Sequence, residues 1–132
     1  MYEQKGVTGS NFGMKLSEIK EILKANVILG ENKMEMIIRA GAGSDLMSDL
    51  LRGPKNGVVV LSGLNTVQII RTAVIAEVAT VVLVRDKQPD EEMIALARLH
   101  DLPLLSTPFT MFTACGRLFR QGLRGVEQKK SV

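Results

Sequence analysis

Four short segments of the chain carry residues able to hold a ligand. They are Gly41-Ala42-Gly43-Ser44-Asp45, Ser62-Gly63-Leu64-Asn65-Thr66, Arg85-Asp86 closing a Val-Val-Leu-Val run, and Ser106-Thr107-Pro108-Phe109-Thr110. Each follows an apolar run and precedes an amphipathic stretch, the place where a helix begins with free backbone N–H groups that favour a small anion. Glycine lets the backbone approach such a ligand, and hydroxyl, amide or guanidinium groups fix its orientation. The candidate ligand-binding residues are therefore Gly43, Ser44, Asp45, Gly63, Asn65, Thr66, Arg85, Thr107 and Thr110. Each also has an ordinary structural use: Ser44 or Asp45 as a helix cap, Thr107 or Thr110 as a partner for nearby backbone, Arg85 and Asp86 as a solvated pair. The known phosphate signatures are incomplete. Leu46 stands where GxGxxG needs its last glycine, and GxxxxGK[ST] does not occur.

Catalytic residue types are scarce. One cysteine, Cys115, excludes an internal disulfide, and with one histidine, His100, it excludes the usual zinc sets. His100 sits beside Asp101 late in a helical stretch, and Cys115 lies between Ala114 and Gly116 with neither histidine nor lysine nearby in sequence. Neither GxSxG nor HExxH occurs, and no acidic cluster suggests Mg²⁺. No catalytic residue, metal or cofactor is expected, and the chain is not expected to be an enzyme.

These loops need a scaffold that brings them to one edge. A chain of 132 residues, 45% of them hydrophobic, is the size of one domain. From Met36 onward an apolar run, a small polar turn and an amphipathic stretch recur about every 22 residues: 36–40, 58–61, 81–84 and 104–105, with helices around Leu46 to Leu51 and over 66–77, 90–100 and 109–122. The runs VVVL and VVLV do not alternate with polar residues, as expected of parallel strands covered on both faces. The pattern predicts an α/β fold, a three-layer α/β/α sandwich with a mainly parallel sheet. Upstream, a helix capped by Ser17 is expected to run to about Ala25, followed by strands at 27–29 and 34–40 and a turn at Gly41-Ala42-Gly43. Asp90, ahead of Glu91 and Glu92, marks the firmest helix start.

Residues 1–13 show no hydrophobic period and read as a flexible leader, 14–123 as the domain, and 124–132 as a basic flexible tail. The charge of +3 is localised: residues 117–132 carry +4, the first thirteen cancel and the body carries −1. That distribution argues against a nucleic-acid surface. The start lacks a secretory signal and no apolar run approaches the ~20 residues of a membrane span, so a cytoplasmic protein without membrane or nucleic-acid partners is expected. The last helix holds Phe109, Phe112 and Phe119 in one stripe with Leu123, and Arg117, Arg120 and Arg124 in another. The core is the expected place for the aromatic stripe, with a dimer or partner surface the alternative.

The segments MKLSEIKEIL, GSDLMSDLL, GVVVLSG, TVVLVRD and LARLHDLPLLSTPFTMFTACGRL together resemble the DRTGG domain, which is related to the amino-terminal domain of HPr kinase/phosphorylase. The resemblance spans residues 14–123. It implies a stand-alone, HPr kinase N-terminal-domain-like α/β module that regulates or senses, in a family also found attached to phosphotransacetylase or CBS domains. The family's kinase relatives carry their chemistry on a separate P-loop domain. The Gly-Asp-Arg-like and Thr-Gly-Gly turns that give the family its name fall at Gly63-Leu64-Asn65 and Val84-Arg85-Asp86, and only Gly63 agrees. The expected function is binding of a small metabolite, a nucleotide or phosphorylated compound. The alternative is a protein-interaction or dimerisation module acting on a partner enzyme through its last helix. A homodimer is expected.

Overall fold

A computed structural model describes residues 13–45 and 56–126. The leader up to residue 12, the helix expected around Leu46 to Leu51 and the tail beyond residue 126 lie outside them. In chain order the elements are β1 (Met14–Lys15), α1 (Leu16–Leu23), β2 (Asn26–Leu29), a 3₁₀ turn (Glu31–Lys33), β3 (Ile37–Ile38), β4 (Ala40–Gly43), β5 (Val58–Ser62), α2 (Val67–Ala76), β6 (Thr80–Leu83), α3 (Glu91–Leu99), β7 (Leu104–Ser106) and α4 (Met111–Arg120).

The unbroken apolar runs become the centre of a five-stranded sheet in the order β2-β7-β6-β5-β4, parallel except for β2. Because strand side chains alternate, each run feeds two cores. Val59, Leu61, Val82, Val84 and Leu105 face α1 and α4, where Leu16, Ile19, Leu23, Ala114 and Leu118 close over them. Val58, Val60, Val81, Leu83 and Leu104 face α2 and α3 and meet Ile69, Ile70, Ala73, Met93 and Ala97. The fold is the three-layer α/β/α sandwich with a mainly parallel sheet that the pattern predicts. The apolar girth of α2 is taken up by the sheet and by packing with α3, leaving Ile75 exposed.

Helix ends follow the capping chemistry. Asp90 accepts a hydrogen bond from the Met93 N–H at 2.9 Å. The start of α1 differs from expectation: Lys15, not Ser17, is its cap residue, and the Glu18 carboxylate reaches back to the Lys15 N–H at 2.8 Å.

Three further expectations are corrected. The strand expected at 34–40 is broken: a turn at Met34 and Glu35, then the short β3, then the start of β4, because Ile37 and Ile38 turn aside to pair with Lys15 and Met14. Gly41-Ala42-Gly43 is not a turn but most of β4, an edge strand in register with Val59, Val60 and Leu61. Its glycines make room for α4 and the segment after it: a Cβ on Gly43 would lie 2.9 Å from both Cys115 Sγ and Met111 Sδ, and one on Gly41 3.1 Å from Leu123 Cδ2. The aromatic stripe of the last helix divides: Leu123 is in the core and Phe109 packs against it, but Phe112 and Phe119 are not buried. The helix buries Ala114 and Leu118, while Phe112 is 88% and Phe119 59% exposed. Beyond α4, Arg124 and Gly125 run beside β4, with the Gly41 N–H donating to the Arg124 carbonyl at 2.9 Å.

Gly43→Val therefore collides with the Met111 and Cys115 side chains on which α4 rests against the strand. We expect a loss of about 1–3 kcal/mol of stability, the range for overpacking, measured by urea unfolding. An unchanged midpoint would show that α4 does not rest on the glycine strand.

Candidate functional site

Parallel pairing brings the carboxyl ends of four strands level, with Gly43 opposite Leu61, Ser62 opposite Leu83 and Leu83 opposite Ser106. Burial on both faces excludes polar side chains from strand middles. The buried polar residues among those described are Ser62, Thr80, Ser106 and Thr107, three of them at this carboxyl edge.

The edge is joined by hydrogen bonds. Asp45 Oδ1 accepts from Ser62 Oγ at 3.0 Å and from the Gly63 N–H at 2.7 Å. Lys87 Nζ donates to the Gly63 carbonyl at 3.1 Å, so the peptide groups on either side of Gly63 are held by a carboxylate and an ammonium. Ser106 Oγ donates to the Lys87 carbonyl at 2.8 Å and accepts from Gln88 Nε2 at 3.3 Å. Asn65 Nδ2 reaches the Gln88 carbonyl at 3.2 Å. Among the described residues no carboxylate lies within ion-pair distance of Lys87.

Of the sequence candidates, Asp45, Gly63 and Asn65 meet in this cluster. The Ser44 N–H pairs with the Leu61 carbonyl beside it. Thr66 is the cap residue of α2 and makes no side-chain capping bond. Three others are placed differently. Gly43 faces α4. Thr107 is buried, its hydroxyl donating to the Leu23 carbonyl at 2.6 Å, where it satisfies the end of α1. Thr110 caps α4, accepting from the Thr113 N–H at 3.3 Å. Ser62, Lys87, Gln88 and Ser106 belong to the cluster and were not among the sequence candidates. The signal for Ser62 and Ser106 was a serine ending an otherwise apolar strand; for Lys87 and Gln88 there was none beyond position in the RDKQPD turn.

That turn explains the second departure from the family motif. Arg85 and Asp86 both adopt left-handed backbone conformations, with φ of +58° and +60°. Such geometry favours glycine, and these are the two positions at which the resemblance places Gly-Gly. The backbone requirement persists with other side chains in place. Hydrogen bonds hold it: the Arg85 N–H to the Phe109 carbonyl and the Asp86 N–H to the Thr107 carbonyl, both at 2.8 Å.

His100 and Cys115 do not converge. His100 ends α3 on one side of the sheet. Cys115 lies on α4 on the other, where burial raises its thiol pKa above the ordinary value, opposite to what a thiolate nucleophile requires. It lines a cleft of about 220 Å³ between β4 and α4, with Gly41, Leu61, Leu118, Phe119 and Leu123. Among the described residues no group of three His, Cys, Asp or Glu side chains is placed to hold a metal ion, and no helix is long and apolar enough to cross a membrane.

The DRTGG domain model matches residues 18–120. The fold is similar to the crystal structure of the CBS and DRTGG domains of the regulatory region of Clostridium perfringens pyrophosphatase, complexed with activator, diadenosine tetraphosphate. The TM-score is 0.70 at 20% identity, over 93% of this chain and 53% of that one, so the chain spans about half the length of that structure. No curated protein matches the sequence.

Relieving the left-handed turn gives a direct check. A non-glycine residue there costs roughly 1–2 kcal/mol and glycine returns roughly 0.5–1 kcal/mol of that as chain entropy. Arg85→Gly is expected to leave stability unchanged or raise it by up to about 1 kcal/mol, whereas Arg85→Val should lower it. A marked loss on Arg85→Gly in urea unfolding would show that the side chain, not the backbone, holds the turn.

Proposed function

The chain belongs to the DRTGG domain family, and from that premise we propose that it is a non-catalytic regulatory module whose carboxyl sheet edge binds a small anionic metabolite, a nucleotide or another phosphorylated compound. One observation carries this reading: the Gly63 N–H and the Ser62 hydroxyl both donate to a single carboxylate oxygen, Asp45 Oδ1, with Lys87 Nζ bonded to the Gly63 carbonyl. Two donors converging on an anionic oxygen beside an ammonium that no carboxylate pairs among the described residues have the chemistry a phosphate oxygen needs. Asp45 occupies that place in the free protein and is exposed, so it can yield to a ligand at small cost. Asn65, Thr66 and Arg85 lie on the same edge and complete the proposed contacts, with Gln88 and Ser106 as support.

The pyrophosphatase regulatory region that contains the similar fold beside CBS domains is complexed with diadenosine tetraphosphate, which supports a nucleotide as the ligand class and an enzyme as the regulated partner. A cytoplasmic setting, without membrane or nucleic-acid partners, fits the near-neutral body and the basic charge confined to the last helix and tail. A second reading, a docking or dimerisation module, is favoured by a different observation: Phe112 stands 88% exposed on α4.

Thermal-shift and calorimetric titration with ATP, ADP and diadenosine tetraphosphate test the ligand reading. A ligand at 100 times its dissociation constant stabilises the folded form by about 2.7 kcal/mol. Lys87→Ala should weaken binding about tenfold, the equivalent of one lost charge-assisted contact, and Asn65→Ala should weaken it less. Asp45→Ala, which frees the two donors, should tighten it. Folded protein that shows no shift with any of these compounds, or equal binding by Lys87→Ala, contradicts the proposal.

A further inference from the structure

The turn between β6 and α3 carries strain that no helix end explains. Among the described residues five non-glycine positions have positive φ, and three of them, Lys24, Glu77 and Asp101, sit at or just past the ends of α1, α2 and α3, where a left-handed residue is a usual cap. Arg85 and Asp86 end no helix. They are consecutive, and the Lys87 N–H closes their turn on the Val84 carbonyl at 3.3 Å. Left-handed backbone is costly for side chains such as these and persists only where the surroundings over-determine it.

Four further bonds hold the turn, and they come from two neighbouring loops. The Arg85 and Asp86 N–H groups donate to the Phe109 and Thr107 carbonyls at 2.8 Å, Ser106 Oγ donates to the Lys87 carbonyl at 2.8 Å, and Lys87 Nζ reaches the Gly63 carbonyl at 3.1 Å. Strain at two residues and the net worth of two backbone hydrogen bonds are of the same order. The turn is therefore close to balance, and a modest extra interaction decides it. Lys87 is placed to supply one. Its ammonium has a neutral carbonyl as partner in the free protein, and a bond to an anionic oxygen is stronger. A ligand at Gly63 gains that bond only while the turn is formed, because the formed turn brings Lys87 beside Gly63. This is the differential interaction that shifts an equilibrium between two conformations.

We propose that Arg85-Asp86 is a two-state turn that an anion at Gly63 closes through Lys87, fixing the Phe109 carbonyl at the start of α4. The proposal rests on the ligand reading above and adds the regulation of that site. In the open state the two residues leave the left-handed region and their N–H groups leave Phe109 and Thr107. Thr107 keeps its bonds to the Leu83 and Leu23 carbonyls, so the sheet stays as it is and the change is confined to the turn and Phe109.

Native-state amide hydrogen exchange tests the turn without any ligand. The Arg85 and Asp86 amides should open together, well below the free energy of global unfolding read at Val60 and Val82 in the central strands. Arg85→Gly, which removes strain, should raise protection at Asp86 about two- to fivefold; Lys87→Met should lower it at both amides about two- to tenfold. Should Arg85→Gly fail to fold, Asp86→Gly gives the same readout at Arg85. Adding diadenosine tetraphosphate should raise protection at both amides in the wild type and far less in Lys87→Met. Exchange of the two amides only through global unfolding, or protection unmoved by the folded variants, overturns the two-state turn. Binding without added protection overturns the regulation and leaves the ligand reading standing. Absence of binding overturns the ligand reading and ligand-driven closing with it, while exchange in the free protein still decides whether the turn has two states.

Discussion

Every functional feature of this protein depends on the burial of its three inner parallel strands on both faces. Val58 to Leu61, Val81 to Val84, and Leu104 with Leu105 send alternate side chains into two separate cores, so no polar group can sit within the runs unless another group satisfies it. Polar chemistry is thereby pushed to the strand ends. Ser62, Ser106 and Thr107 are buried there, and each hydroxyl has a partner: Asp45, the Lys87 carbonyl and the Leu23 carbonyl. Thr80, at the opposite end of β6, pairs with the Pro103 carbonyl at 3.0 Å.

The proposed ligand site and the exposed face of α4 lie on different parts of the molecule. The carboxyl edge holds a carboxylate, an ammonium and two serines around one glycine. The outer face of α4 holds aromatic rings, arginines and Gly116. They are joined through β7 and its following turn, because Asp86 and Arg85 hang from the carbonyls of Thr107 and Phe109, the segment leading directly into α4. The left-handed Arg85-Asp86 turn after β6, held by these two hydrogen bonds, is thus a short physical connection between the carboxyl edge and the segment that starts α4.

The sequence made some of this legible and hid the rest for definable reasons. Apolar runs without alternation announced buried parallel strands, and Asp90 announced the start of α3, because both follow from local chemistry. Gly41-Ala42-Gly43 looked like a turn because glycine usually breaks strands. Its use as a strand depends on α4, some seventy residues later, resting where side chains would be. Phe112 and Phe119 looked like core residues because large aromatic side chains usually are, whereas the residues α4 buries are the small Ala114 and the single Leu118, with Met111 and Cys115 beside Gly43. In the site, Asp45, Gly63 and Asn65 could be picked out as loop residues. Lys87 and Gln88 could not, since only the level strand ends bring them back to Gly63 and Ser106. Thr107 and Thr110 carried the right chemistry for a ligand but spend it on the chain's own backbone.

The division between a ligand edge and a partner face is tested most directly by backbone amide chemical shifts of the ¹⁵N-labelled protein during titration with diadenosine tetraphosphate. The largest perturbations should fall on Gly63, Leu64, Asn65, Lys87 and Gln88, with smaller ones passing through Arg85 and Asp86 toward Phe109, and little change at Gly116. Perturbations centred on Phe112 to Phe119 with the Gly63 amide unmoved would contradict the account.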